Sequence, residues 1–229
     1  AVVLPDETLL PSVLNSIPDE VEDINVTMGL PMTGSILYSM MSDIAAIQLH
    51  VITRNDKSYF YHKQVWDLFS NDLFRKAADE KSREIISKVK SEAVYYIPQD
   101  NVSGTPLLDA VFRPVIYDQK LASAAQIKEF AEYQKQILTV VASYVTADSG
   151  LDLELEYAKE YYKCVNMLNE IDLEVQPVTY VRLLSQLLGA VSVPFKGEPL
   201  KGLQIMGPLE TRALDFSNLV IMSANEGVF

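Results

Sequence analysis

The run GLQIM, Gly202–Met206, decides the fold. Four apolar or amide side chains behind a glycine make a short strand too apolar for a surface edge. The sequence offers two partners for it, both at the opposite end of the chain. AVVL, residues 1–4, is an apolar run ended by Pro5. INVTM, residues 24–28, is rich in β-branched residues and is followed by a turn signal at Gly29 and Pro31. Between these two strands Asp6 and Glu7 open a helix over about 6–16, with acids at its positive end and Leu9, Leu10, Val13, Leu14 and Ile17 on its apolar face. A second helix is predicted over 33–52, with Ile36, Leu37, Met40, Ile44, Ile47 and Val51 along one side. Strand, helix, strand, helix is the opening of a parallel α/β sheet with right-handed crossovers. A further strand is expected at 218–223, NLVIMS. Strands from both termini therefore share one sheet.

The middle has a different rhythm. Helices are predicted over 61–71, 72–92, 122–146, 152–171 and 177–188. In the third, Ile127, Phe130, Gln134, Ile137, Val141 and Tyr144 alternate spacings of three and four, a coiled-coil-like seam with one polar member. Pro98, Gly104, Pro106 and Pro114 punctuate a looser stretch with an extended segment expected at 111–117. The resulting expectation is an α/β domain made of residues 1–54 and 196–229, interrupted by a mainly helical insertion at 55–195.

Composition narrows the function. Of 229 residues, 48% are hydrophobic and 22% charged, which supports a sizeable core and argues against wholesale disorder. Lys plus Arg is 19 against 31 Asp plus Glu, a net charge of −12, so strong sequence-independent binding to a phosphate backbone by this chain alone is disfavoured, which leaves open only a local basic groove. The single cysteine, Cys164, forms no disulfide within the chain and reads as a small buried hydrophobe. With His50 and His62 the only histidines, a zinc cluster is not expected. There is no apolar run of membrane-spanning length and no secretory leader pattern, and a cytoplasmic location is expected. The chain begins on Ala, and it reads as a piece of something longer.

The ends then take on a specific likeness. GLQIMGPLETRALDFSNLVIMSANEGVF, residues 202–229, resembles motif V and the following strand of superfamily 1 helicases. It looks closest to the helicase–nuclease branch of AddAB and RecBCD type, and within it to the B subunit of AddAB. AVVLPDETLLPSVLNSIP, residues 1–18, is similar to their motif IV strand and helix; INVTMGLPMTGSILYSMMSDIAAIQ, residues 24–48, is similar to the next strand and helix. The likeness covers residues 1–52 and 200–229. It implies a RecA-like second motor domain (2A) interrupted by a 2B-like helical subdomain. It also implies a DNA-repair and recombination role, with single-stranded or duplex DNA and a partner helicase–nuclease subunit as partners.

Departures from the family pattern matter. Where active motors carry a Ser-Lys-Gly-Leu-Glu-Phe-like core, this chain has Thr211, Arg212, Ala213, Leu214, Asp215 and Phe216, and Leu209 stands near the place of an upstream His. By the resemblance, Arg212, Thr211, Asp215, Asn225 and Glu226 are candidate DNA- or nucleotide-contact residues, Asp215 at the ribose and Asn225 and Glu226 in a loop that could also face a domain interface. The bland alternatives are a surface Arg paired with Glu210 or Asp215, a turn cap, and a plain turn around Gly227. No GxxxxGK[ST] loop is present, so neither ATP nor Mg²⁺ is expected on this piece, although both are possible in the parent. GxSxG, HExxH and GxGxxG are also missing, as is a convincing PD-(D/E)xK nuclease core. Two further readings stand beside the first: an acidic interaction scaffold with a degenerate helicase fold and no DNA contact, and a free-standing hydrolase. His50 reads as a helix C-terminal residue. His62, with Tyr59, Phe60 and Tyr61, offers either base stacking or packing, as do Tyr157, Tyr161 and Tyr162.

Overall fold

The computed structural model describes residues 1–6, 9–18, 20–21, 23–145, 152–194, 202–212, 214–215, 217–218 and 220. In chain order the strands and helices are β1 (Val2–Val3), α1 (Leu10–Leu14), β2 (Ile24–Val26), β3 (Gly29–Pro31), α2 (Ile36–Leu49), β4 (Ile52–Arg54), β5 (Lys57–Tyr61), α3 (His62–Ser70), α4 (Asp72–Ala77), α5 (Glu80–Glu92), β6 (Tyr96–Pro98), α6 (Pro106–Val111), α7 (Ala124–Val145), α8 (Asp152–Asn169), α9 (Pro177–Gly189), β7 (Ser192–Pro194) and β8 (Leu203–Met206). They fall into two compact units, Ala1–Leu30 with Pro194–Phe229, and Pro31–Val193. β3 and β7 form a two-stranded sheet.

The first unit holds a three-stranded parallel sheet in the order β1–β8–β2. Ile205 sits opposite both Val2 and Val26, so the strand near the C-terminus is flanked by the two strands near the N-terminus. Ile205 and Val26 are buried, and the Leu4 and Thr27 amides extend the ladder to Met206 and Ile205 carbonyls at 2.9 Å each. Asn25 donates to the Gln204 side chain at 2.6 Å, which ties a polar pair across the central strand. Gly202 enters β8 at φ +74°, and the Leu203 amide that follows donates to the Asp23 carbonyl at 2.8 Å. α1 is shorter than its pattern: of the expected apolar face Leu10 is fully buried and Leu9 is exposed. The expected strand at 218–223 lies largely outside the described residues.

The second unit is mainly helical, with one antiparallel sheet, β4–β5–β6. α2 lies here, packed on α3, α4, α8 and α9, although its sequence position groups it with the terminal strands. It starts at Ser35, whose side chain accepts from the Tyr38 amide at 3.0 Å, and buries Leu37, Met40, Met41, Ile44 and Ile47. α7 and α8 carry the seam. Ile127, Phe130, Gln134, Ile137 and Val141 are buried there, against Tyr157, Tyr161 and Val165. The polar member is satisfied: Gln134 accepts from the Tyr180 hydroxyl at 3.0 Å and donates to the Tyr161 hydroxyl at 3.3 Å.

Three features depart from the sequence expectation, each for a local reason. The β4–β5 hairpin is closed by Asn55 and Asp56, both at positive φ (50° and 58°), the backbone of a two-residue type I′ turn. The helix expected over 72–92 is two helices, because the Asp79 side chain caps the second by accepting from the Ser82 amide at 2.8 Å. The stretch expected to be extended at 111–117 follows a helix, α6, with Thr105 as its cap and Pro106 in its first turn. Residues 111–115 are then held by fully buried Gln48. Its amide donates to the Arg113 carbonyl at 2.9 Å and the Tyr133 hydroxyl at 3.0 Å, and accepts from the Val115 amide at 3.0 Å.

Candidate nucleic-acid interface

In the first unit, β8 ends at Gly207 and the chain turns through a single 3-10 turn, Pro208–Thr211. Pro208 fixes φ at the start of that turn, and the Thr211 hydroxyl closes it by donating to the Pro208 carbonyl at 2.6 Å. The Leu214 amide donates to the Thr211 carbonyl at 3.1 Å. Thr211 is thus spent on holding the turn. Arg212 and Asp215 are exposed, and among the described residues no ion pair joins Arg212 to Glu210 or Asp215. Along the same stretch three apolar side chains are exposed, Leu209 at 70%, Leu214 at 48% and Val220 at 83%. Asn225 and Glu226 lie outside the described residues.

The second unit carries a concentration of positive charge that the sequence reading did not single out. Asn71 caps α4 by accepting from the Leu73 and Phe74 amides at 3.0 and 3.2 Å, and Asp79 caps α5. The break between these caps sets the two short helices on either side of one groove of about 900 Å³. Ile36, Phe69, Leu73 and Ile86 give it apolar walls; Arg75, Lys76, Arg83 and Lys90 give it four cations. From α5 the lining residues are Arg83, Ile86, Ser87 and Lys90, the i, i+3, i+4, i+7 stripe of one helix face. The opposite face buries Ser82 and Val89, and the Ser82 hydroxyl meets that of Thr105 at 2.8 Å. Among the described residues the one carboxylate lining the groove, Asp72, is engaged by Arg75 at 3.4 Å.

Lys90 lies 6.0 Å from the centre of the Phe69 ring and also lines a second hollow, of about 550 Å³, with His62, Trp66, Ser70, Ala93, Val94 and Tyr95. Rings run outward from the core to this hollow. Phe69 contacts buried Phe112 and Phe74 on one side and Trp66 on the other, at 6.0 Å between centroids. Trp66 leads to His62 at 6.5 Å, and His62 to Tyr95 at 5.0 Å, edge on. Tyr95 is 72% exposed. The His62 ring is oriented by the Tyr95 carbonyl, 3.2 Å from its Nδ1. α5 ends at Ala93, a non-glycine residue in the left-handed region at φ 49°.

Of the other aromatic candidates, Tyr59 and Tyr61 are half-buried and Tyr162 is 40% exposed. Phe60, Tyr157 and Tyr161 are buried, and Cys164 is buried as a free thiol. His50 ends α2, with its Nδ1 2.7 Å from the Ala46 carbonyl. Two carboxyl groups, one buried and one half-buried, leave no mark in the sequence. Glu154 of α8 accepts from the Leu37 amide at 2.9 Å, at the N-terminus of α2, and burial raises its pKa. Asp43 on α2 is raised to about 6, by burial first and by Asp67 of α3 second. Among the described residues no three of His, Cys, Asp and Glu gather as metal ligands, and no helix is long and apolar enough to cross a membrane.

Comparison with family models finds none that matches the chain, and comparisons with curated proteins and solved structures find no match either.

Proposed function

We propose that this chain is a non-motor part of a DNA-repair helicase–nuclease subunit, a RecA-like 2A domain with a 2B-like helical insertion. It engages DNA and holds neighbouring domains in register. ATP hydrolysis, Mg²⁺ chemistry and any nuclease belong to other parts of the parent. The observation that carries this reading is the sheet order β1–β8–β2. A strand from one end of the chain lies parallel between two strands from the other, on either side of a helical excursion, which is the connectivity the resemblance implies. The test is fluorescence anisotropy of a labelled single-stranded oligonucleotide with the 229-residue chain, across a salt series. Saturable binding that weakens steeply with salt is expected. Absence of binding at low salt removes the DNA role from this chain.

The second reading is an acidic interaction scaffold with the same fold and no DNA contact. It is favoured at one place, the turn around Arg212, where Leu209, Leu214 and Val220 expose apolar surface beside Glu210 and Asp215. Under it, replacing Leu209 and Leu214 by Ser abolishes association with a partner subunit, and no oligonucleotide binds at low salt.

A further inference from the structure

We infer that the groove between α4 and α5, together with the aromatic hollow it meets at Lys90, is a binding track for single-stranded DNA. This rests on the DNA-engaging reading above and moves the contact from the Arg212 turn to the helical unit. Two kinds of chemistry converge there. The groove is lined by Arg75, Lys76, Arg83 and Lys90, of which Arg83 and Lys90 are exposed on one face of α5, in a chain that carries a net charge of −12. Cations so concentrated on an acidic protein make a local attractive potential for a phosphate backbone. The hollow offers ring faces and edges, half-buried Trp66 and His62 and exposed Tyr95. Rings beside a cationic groove are the two parts of a single-strand site: charges follow the backbone while unpaired bases stack. A duplex keeps its bases stacked on one another and has no use for the hollow. The rings are also well supported. Trp66 leans on Phe69, which is locked between Phe74 and Phe112, so little side-chain freedom remains to be lost on stacking.

Trp66 is the single tryptophan of the chain, so its emission reports on this hollow alone. The experiment titrates the 229-residue chain with oligo(dT), following intrinsic fluorescence and, in parallel, anisotropy of a labelled oligonucleotide. The expected result is a saturable quench of Trp66 that coincides with the anisotropy change. The slope of log K against log salt should be about −1.4 from Arg83 and Lys90, at roughly 0.7 each on a single strand, and steeper to the extent that Arg75 and Lys76 exchange their present partners for phosphate. The double change Arg83→Glu and Lys90→Glu alters only exposed side chains. It should weaken binding at least about tenfold and flatten the slope, whereas Arg212→Glu leaves both unchanged. Trp66→Phe, which keeps a ring in place, should weaken binding severalfold and leave the slope unchanged. Binding without a quench, unaffected at Arg83 and Lys90 and lost in Arg212→Glu, overturns the track while leaving the DNA-engaging reading intact. A duplex that binds as tightly with the same quench overturns the single-strand assignment. No binding of any oligonucleotide at low salt overturns both.

Discussion

Gly202→Ala tests the joining of the two chain ends at its tightest point. At φ +74° an alanine is strained by about 1 kcal/mol before any contact is considered. A Cβ built there lies 1.9 Å from the Asp23 carbonyl oxygen and 2.5 Å from its carbonyl carbon, and both belong to the backbone leading into β2. Neither can swing aside as a side chain does, so the strands must separate. The first bond lost is from the Leu203 amide to the Asp23 carbonyl, at 2.8 Å, worth about 1 kcal/mol. Slackening of the Ile24–Leu203 register pair next to it adds a similar amount. The total is about 3 kcal/mol of local sheet stability. Gly207→Ala is the matched control. Its φ is −79°, and its Cβ meets only the Glu210 carboxylate at 2.7 Å, the free end of a flexible side chain. Amide hydrogen exchange read by mass spectrometry on peptides covering 24–27 and 203–206 separates the two. At about 1.4 kcal/mol per factor of ten, Gly202→Ala should speed exchange there by about two orders of magnitude, with Gly207→Ala close to wild type. Equal protection in both variants would refute the close approach of β8 to Asp23, and with it the parallel sheet from both ends.

Three further outcomes are expected. The Asp43 carboxyl is raised from the usual aspartate range to about 6, so its contribution to stability is fully present below about 3.8 and is lost as pH rises through 6. Asp43→Asn should therefore stabilise the chain at pH 7.5 by about 1–2 kcal/mol, the full shift of about 3 being reduced by solvent at this half-buried site, and the gain should vanish in denaturant melts at pH 4. Gln48→Leu keeps the volume but leaves the Val115 amide and the Arg113 carbonyl without their partner, at about 1–3 kcal/mol each; a loss of 3–5 kcal/mol in urea unfolding is expected, and one below 1 would contradict the buried staple. Ala93→Gly relieves the left-handed cap at φ 49° and should raise stability by up to about 1 kcal/mol, measured by thermal melting.

How far the sequence reaches depends on the range of the forces involved. It determined the features set by neighbours in the chain. The apolar runs at 2–3, 24–26 and 203–206 are strands because β-branched and apolar residues alternate there with no helical period. The seam of α7 was legible from Ile127 to Val141 because burial on one helix face imposes its own spacing. Local turn chemistry was legible too, yet passed over: Asn55-Asp56 for the hairpin, Thr105-Pro106 for α6, and Asp79 with the Ser82 amide for the break between α4 and α5. Only the tertiary structure decided which distant groups meet. Gln48 reaching residues 111–115, Glu154 capping a helix 117 residues away, and Arg75 facing Arg83 and Lys90 across a groove leave no trace in any window of sequence. Each depends on how helices cross. Crossing is settled by the packing of whole apolar faces, whereas a polar side chain at the rim adds too little energy to leave a pattern of its own.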